Sequence, residues 1–240
     1  MPLGILIAAW SLAKNVSGLT PILTFHDVIS NRDESSLWFD CSTSELETQI
    51  RWFKVKGAHF VTLKQIYLHL AEGKPLPSKS IAITFADGYE GFYKFGVPIL
   101  RREKVPVTMF VHTDYVGDQH GHPKMTWPQL KELDREGLVE ICSQTRTHPA
   151  DLRTLSADSL RSEMIGSKQV LEQNLGHAVP FLAYPNGKFD LRVAKSARDS
   201  GYLAAFTEQL TPSERSPNLF MISRYVHTRY RQAWRDAGRR

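Results

Sequence analysis

The feature that most constrains the fold of this chain is a regular alternation of short apolar runs with longer amphipathic segments. Several runs are apolar almost throughout, such as 81–83 and 107–111, as expected of strands buried on both faces. Repeated strand–helix units of this kind imply a parallel sheet covered by helices, either a closed β/α barrel or a doubly wound layer. Eight strands are predicted, at 21–28, 59–63, 80–85, 105–112, 138–143, 180–184, 203–206 and 220–226, and six helices between them, at 43–56, 64–72, 89–103, 127–136, 157–175 and 191–200.

The alternation runs from residue 21 to residue 226 without a repeat, a low-complexity tract or a linker, which predicts a single domain over 21–226. The apolar segment 1–20 in front of it resembles the apolar part of a signal peptide, but lacks the positive charges that usually precede one. Three interpretations of this segment stay open: a signal remnant, a membrane-proximal remnant, or a helix packed on the domain. No apolar run reaches the ~20 residues of a membrane span. The sequence leaves the oligomeric state unknown.

The positive charge of the chain is concentrated at its C-terminal end. The net charge is +5, yet the stretch from Arg224 onward holds six arginines and one aspartate, and the rest is balanced at 24 residues of each sign. A basic groove is therefore not expected, which argues against a nucleic-acid partner. The segment 227–240 is predicted to form a solvated, Arg-rich helix or tail. The two cysteines, Cys41 and Cys142, exclude a disulfide scaffold.

Polar side chains follow six of the predicted strands. In parallel α/β folds, working side chains gather at the carboxyl ends of the strands, so these groups are expected at one mouth. Asp87 lies between an apolar strand and a glycine, and His148 precedes Pro149, which restricts its backbone. Asp87 could equally be a helix N-cap, and His148 a structural histidine. Together, a carboxylate oxygen and an imidazole nitrogen could bind a divalent metal whose bound water becomes a nucleophile.

These segments, in this order, resemble the polysaccharide deacetylases, a carbohydrate-esterase family, and within it the biofilm poly-N-acetylglucosamine deacetylases. The resemblance covers about 21–226 and implies a distorted (β/α) barrel of about seven strands. It also implies metal-dependent removal of acetyl groups from an N-acetylated glycan, with zinc, nickel or cobalt as cofactor, in an extracytoplasmic location. The runs that carry it are Phe25-His26-Asp27-Val28, Thr84-Phe85-Ala86-Asp87-Gly88-Tyr89, Gln144-Thr145-Arg146-Thr147-His148-Pro149 and Ala183-Tyr184-Pro185-Asn186-Gly187.

The resemblance implies a role for each matching residue. Asp87 matches the metal-binding aspartate of the first motif, and His148 matches the second of two histidine ligands. His26 matches the histidine that this branch uses as general acid, so His26 and Asp87 are the predicted catalytic residues. Tyr184 and Pro185 match the motif that shapes the pocket beside the base. Substrate contacts are expected of Tyr184, Pro185, Asn186, His112 and Asp114.

Two positions depart from the family pattern. Ala86 stands where the family has the aspartate that acts as general base, and loss of such a base typically costs ~10²–10⁴ in rate. Gln144 stands where the first histidine ligand is expected, and its amide oxygen binds zinc or nickel less well than imidazole does. With Asp87, His148 and a weak Gln144 as ligands, the metal is expected to bind weakly or not at all.

The missing base leaves the function open among three interpretations. The first, which we favour, is a working N-deacetylase with relocated acid–base groups. Asp114 is then the preferred substitute base, because strand alternation turns Asp27 away from the face of His26. The second is a catalytically degenerate relative that still binds acetylated glycan. The third is a metal-independent hydrolase that uses His26 and His148 on the same scaffold.

Overall fold

The computed structural model describes residues 18–239, so most of the predicted segment 1–20 lies outside the described residues. The first helix begins at a capping box, in which Ser42 accepts from the Glu45 amide and the Glu45 side chain accepts from the Ser42 amide. The strands are β1 (Ile22–Phe25), β2 (Val28–Ile29), β3 (Cys41–Ser42), β4 (His59–Phe60), β5 (Ser80–Phe85), β6 (Val107–Val111), β7 (Val139–Ser143), β8 (Phe181–Ala183), β9 (Ala204–Phe206) and β10 (Tyr225–Val226). The helices are α1 (Thr43–Val55), α2 (Leu63–Glu72), α3 (Val97–Glu103), α4 (Trp127–Glu136), α5 (Ala157–Leu175), α6 (Leu191–Asp199) and α7 (Tyr230–Asp236).

The main sheet is parallel throughout and confirms the predicted α/β barrel. Its order is β10-β1-β5-β6-β7-β8-β9, which gives seven strands, and β4 pairs with the start of β5. Backbone contacts also join the two ends of this order, because Ile222 forms a parallel bridge with Phe206 and the Arg224 amide donates to the Thr207 carbonyl at 3.1 Å. The segment that leads into β10 therefore closes the barrel, and the strand ends that carry polar residues face one mouth.

The predicted strand 21–28 divides into two elements. β1 ends at Phe25 and stays in the main sheet, whereas β2 pairs with β3 in a separate two-stranded ribbon. His26 and Asp27 lie at the break. The polar pair therefore ends the barrel strand instead of continuing it, which places His26 at the mouth of the barrel.

Two hydrophobic clusters hold the helices against the sheet. The larger one joins α1, α3 and α4 to the strands, and the smaller one lies among β8, β9, α5 and α6. The interior strands are buried along nearly their whole length; all five residues of β6 are buried, and in β7 only Glu140 is partly exposed. This matches the near-continuous apolar runs in the sequence, because both faces of each strand are covered.

The C-terminal segment differs from the solvated helix predicted for 227–240. α7 packs on α1: the Trp234 ring lies 5.7 Å from that of Trp52 and 5.8 Å from that of Phe53, and Trp234 is 2% exposed. The arginines do lie on the outer side, with Arg231 and Arg235 exposed. The count of charges correctly predicted that one face of α7 is exposed. It did not predict the apolar face, on which Trp234 packs against α1. Over residues 18–239, no helix is long and apolar enough to span a membrane.

Candidate metal centre

Three potential metal ligands converge at the mouth of the barrel. Asp87, His112 and His148 each present one donor atom, and the three atoms lie within 4.8 Å of one another. His148 Nε2 is 3.5 Å from Asp87 Oδ1. The rings of His112 and His148 are 5.3 Å apart and nearly perpendicular. One carboxylate and two imidazoles form a donor set typical of catalytic zinc sites.

Unusual backbone geometry positions two of these side chains. Asp87 has φ 69° and is followed by Gly88 at φ 66°, so the chain turns sharply out of β5. A Cβ on Gly88 would lie 3.0 Å from a methyl of Val111, so this turn needs glycine for space as well as for conformation. His148 also has a left-handed backbone, with φ 52°. Strained backbone of this kind costs of order 1–3 kcal/mol per residue and concentrates at functional sites.

The charges around Asp87 favour its ionised form. Burial acts to raise its pKa, but His26, His148 and His112 outweigh burial and hold the pKa of Asp87 below its usual range. The opposite holds for His112, where burial lowers the pKa to about 3. The cluster therefore combines a carboxylate with a neutral, buried imidazole at neutral pH, the protonation states that metal binding requires.

Several buried polar atoms at the centre have no hydrogen-bond partner among residues 18–239. They include Asp87 Oδ1, His112 Nδ1 and His26 Nδ1. Buried polar atoms are nearly always satisfied, and each exception calls for an explanation such as an ion or a catalytic role. The unpaired donors and their chemistry fit the divalent metal that the sequence resemblance implies.

Gln144 and Ala86 occupy the two positions that depart from the family pattern. The Gln144 side chain is buried, and its Oε1 accepts a hydrogen bond from the Asp87 amide at 2.8 Å. Gln144 therefore supports the turn that presents Asp87. Ala86 is buried, and its amide continues the β1–β5 ladder by donating to the Phe25 carbonyl. Alternation places Ala86 on the same face as Thr84, toward the barrel interior.

A buried arginine lies below Ala86 on that interior face. Nη1 of Arg224 donates to the hydroxyls of Thr24 and Thr84, each at 3.3 Å, and Nε donates to the Thr207 carbonyl. Nη2 lies 3.5 Å from Glu208 Oε1, and the Arg224 side chain is fully buried. The guanidinium thus connects β1, β5 and the end of β9 directly beneath the site.

His26 lies at the edge of the donor cluster, against an aromatic rim. Its ring is 5.3 Å from that of Phe39 and 6.3 Å from that of Trp38. Burial lowers the pKa of His26, although the charge of Asp87 opposes this, so the imidazole is neutral at pH 7. Trp38 is 70% exposed. A neutral imidazole is thus flanked by an exposed indole on the solvent side and by the cluster on the other.

A lysine from the loop before α4 closes another side of the site. The Nζ of Lys124 lies 3.3 Å above the Tyr89 ring. Burial lowers the pKa of Lys124 to about 8, and the charges of Asp87 and Asp27 oppose that shift. The sequence analysis identified neither Lys124 nor Trp38 as a site residue. Both lie on loops, where no strand or motif pattern marks them.

The residues predicted to contact substrate do not share one location. Tyr184 is fully buried; its hydroxyl donates to the Phe220 carbonyl and its ring stacks on Phe189, and its contact with substrate stays a prediction. Pro185 is buried as well, whereas Asn186 is exposed. Their motif turns because Asn186 adopts a left-handed backbone, with φ 55°.

Of the two substitute bases considered, neither joins the donor cluster. Asp114, which sequence reasoning preferred, pairs with Arg146 at 2.9 Å at the surface. Asp27 is buried and accepts from the Val28 amide, and burial raises its pKa to about 6. The Asp114 carboxylate is thus paired with a guanidinium, and its role as substitute base stays a prediction.

Comparisons with known proteins agree with this architecture. A sequence model described as polysaccharide deacetylase matches residues 73–205. The poly-beta-1,6-N-acetyl-D-glucosamine N-deacetylase of Staphylococcus aureus (strain MSSA476) is 33% identical over 146 residues, which are 60% of this chain and 49% of that protein. The protein YxkH of Bacillus subtilis (strain 168) is 26% identical over 217 residues, which are 90% of this chain and 74% of YxkH. The structure of IcaB from Ammonifex degensii superposes with a TM-score of 0.80 at 24% identity, covering 92% of this chain and 98% of that one, and confirms the fold.

Proposed function

Because the chain belongs to the polysaccharide deacetylase family, we propose that it hydrolyses N-acetyl groups of an N-acetylglucosamine-type glycan with the help of a divalent metal. The observation that carries the proposal is the convergence of Asp87, His112 and His148, with their unpaired buried atoms, beside His26. The S. aureus relative, of which the matched stretch spans about half the length, is named for this reaction on poly-beta-1,6-N-acetyl-D-glucosamine. That polymer is the substrate class we propose.

Asp87 and His148 would hold the metal, since they match the ligand positions of the family and lie 3.5 Å apart. When bound there, a divalent metal polarises the acetyl carbonyl and makes water a stronger nucleophile. Asp87 is held as a carboxylate by its histidine neighbours. We assign this residue to metal binding and not to proton transfer.

His26 is proposed as the single acid–base group. Ala86 cannot accept a proton, and the carboxylates of Asp27 and Asp114 are engaged elsewhere. The neutral imidazole of His26 accepts the proton released as water adds to the acetyl carbon. It then returns the proton to the amine nitrogen as the C–N bond breaks, giving acetate and a free amine.

The aromatic rim supplies the contact with the glycan. Trp38 is exposed beside His26, and an indole face packs well on the apolar face of a pyranose ring. Stacking there would hold one sugar with its acetyl group toward the metal ligands. Trp38 therefore belongs to substrate binding in this proposal.

One observation favours a second candidate function. Ala86 leaves the usual base position without an ionisable group, so the chain could bind acetylated glycan without turnover. The mouth and its rim serve both functions equally. The two functions differ in acetate release.

The first test measures acetate release from β-1,6-linked N-acetylglucosamine oligomers in the presence of added zinc, nickel or cobalt. We expect turnover, and His26→Gln should lower it by ~10²–10⁴ without changing the melting temperature. His120→Gln is the matched control, because that histidine is 98% exposed and pairs with Asp118. Trp38→Ala should raise KM more than it lowers kcat.

The same assay identifies the binding-only alternative. If the oligomers bind in calorimetry but no acetate forms, the proposed activity is wrong. The double variant Ala86→Asp with Gln144→His, which restores the family pattern, should then gain turnover. A double variant that binds metal tightly yet stays inert on several acetylated glycans would refute the substrate class as well.

A further inference from the structure

The second imidazole of the donor cluster does not come from the position where the family carries it. The resemblance assigns two histidine ligands to the loop after β7, at positions 144 and 148, and this chain has glutamine at the first of these. His112 instead follows β6, the neighbouring strand. Sequence reasoning placed His112 with the substrate contacts.

The register of the sheet explains how His112 reaches the ligand cluster. β6 lies between β5 and β7 in the sheet order, and Val111 pairs directly with Ser143. The residues that follow these partners are His112 and Gln144, so the histidine leaves the sheet beside the glutamine. The backbone amide of Gln144 donates to the Val111 carbonyl at 2.8 Å, and this hydrogen bond fixes the alignment of the two residues.

The distances suit a metal of the size of zinc. With ligand bonds of ~2.0–2.1 Å in tetrahedral geometry, donor atoms lie ~3.4 Å apart. His148 Nε2 and Asp87 Oδ1 are separated by 3.5 Å, and the donor of His112 lies within 4.8 Å of both.

The burial of His112 argues against the other roles open to it. The side chain is 7% exposed, so a glycan in the cleft has little access to it. Its ring packs edge-on against Tyr115 at 5.1 Å, but Nδ1 has no hydrogen-bond partner within residues 18–239, which a purely structural histidine would normally have. Gln144 is a poor competitor because its Oε1 already accepts from the Asp87 amide.

We propose that His112 takes the place of the histidine missing at Gln144 and completes a three-residue site, Asp87–His112–His148, for a divalent cation of the zinc type. The inference rests on the metal dependence in the proposed function and adds a ligand that the family pattern does not provide. It replaces the expectation that the metal binds weakly or not at all. That expectation included one imidazole ligand, His148, whereas the structure brings two imidazoles together.

The test measures metal binding directly. The full chain is loaded with Zn²⁺, dialysed and assayed for metal content, and the visible spectrum of the Co²⁺-loaded protein is recorded. We expect about one Zn²⁺ per chain, and His112→Asn should weaken the affinity by about 100-fold or more, since loss of a supporting hydrogen bond alone costs 10–100-fold. His120→Asn is the matched control and should leave both readouts unchanged.

Gln144→Ala separates the two candidate ligands. A smaller loss of Zn²⁺ affinity in Gln144→Ala than in His112→Asn supports the inference, since Gln144 acts on the site only through the turn that presents Asp87. Unchanged Zn²⁺ affinity and Co²⁺ spectrum in folded His112→Asn would overturn it, as would a wild-type chain that binds no Zn²⁺. If His112→Asn fails to fold, His112→Gln replaces it in the same assay, and an unchanged Zn²⁺ affinity in folded His112→Gln would overturn the inference.

Acetate release, measured on the same samples, keeps the two proposals apart. Metal binding that depends on His112 without any acetate release would refute the proposed function and leave His112 as a ligand. Acetate release with metal binding that is indifferent to His112 would refute the ligand assignment alone.

Discussion

At the scale of single residues, the site is built from side chains whose surroundings change their chemistry. Burial lowers the pKa of His26 and of His112, whereas the pKa of Asp87 lies below its usual range although burial acts to raise it. Asp27 shows the reverse effect, because burial and the nearby Asp40 raise its pKa to about 6. Its environment therefore favours a protonated carboxyl at mildly acidic pH.

This raised pKa predicts a specific pH dependence of stability. The native pKa of Asp27 lies above its ordinary value of 3.8, despite the opposing Val28 amide, His122 and Lys124. The native state therefore binds this proton more tightly, and the associated stability is present below pH 4 and lost as the pH rises through about 6. Asp27→Asn keeps the oxygen acceptor for the Val28 amide but cannot ionise. The difference in unfolding free energy between this variant and the wild type should therefore change in favour of the variant, by up to about 3 kcal/mol, as the pH rises from 4 through about 6.

Urea denaturation of both proteins at several pH values between 4 and 7 checks this expectation. Glu34→Gln is the control, because Glu34 is exposed and its removal should give a difference that does not vary with pH. A difference between Asp27→Asn and wild type that stays constant over the range would contradict the account of Asp27.

At the scale of elements, the helix after β5 begins with a π-helical turn, Phe92–Gly96, that continues into α3. Two glycines of this region lie against β2. A Cβ on Gly91 would come within 2.5 Å of the Val28 carbonyl oxygen and would also collide with the Asp27 carboxylate. A Cβ on Gly96 would lie 3.1 Å from a Val28 methyl. The small residues therefore let the helix approach the loop that carries His26.

Gly91→Ala should consequently destabilise the protein, by about 1–3 kcal/mol, because backbone atoms would have to move to admit the methyl group. Gly166→Ala in α5 is a matched control: its new methyl would meet the flexible side chain of Arg146, and alanine is favoured over glycine in a helix by up to ~1 kcal/mol. The control should stay close to wild type in thermal unfolding. Equal stability of the two variants would show that Gly91 does not pack tightly against the Val28 carbonyl.

At the scale of the whole molecule, the C-terminal region both closes the barrel and covers it. The segment before β10 joins β9 to β1, and Arg224 ties three strands from inside. α7 then packs Trp234 against Trp52 and Phe53. The last residues are thus part of the domain, and the packing of α7 is expected to contribute to its global stability.

Trp234→Ala should lower the free energy of unfolding by about 3–5 kcal/mol, the usual cost of removing a buried aromatic side chain. Arg235→Ala, the exposed neighbour in the same helix, should stay within about 0.5 kcal/mol of wild type. Urea denaturation of the full chain measures both. If the two substitutions have the same small effect, α7 is a loosely attached tail, as its charge alone suggested.

The sequence by itself determined the class of the fold and pointed to two of the proposed ligands. The local pattern of apolar residues indicates which faces of a strand or helix are buried. Near-continuous apolar runs alternating with amphipathic segments therefore predicted the order of elements and the parallel sheet. Asp87 and His148 could be proposed as ligands because each belongs to a motif in the segment that follows a strand. The sequence also showed what is missing, at Ala86 and Gln144.

Only the tertiary structure decided which residues meet at the mouth. His112 lies beside Gln144 because β6 and β7 pair in one particular register, and pairing between strands distant in sequence leaves no local pattern. Trp38 and Lys124 come from loops, where neither the 2-residue nor the 3.6-residue period applies. The burial of Trp234 was missed for a related reason: a count of charges does not show which face of a helix its neighbours cover.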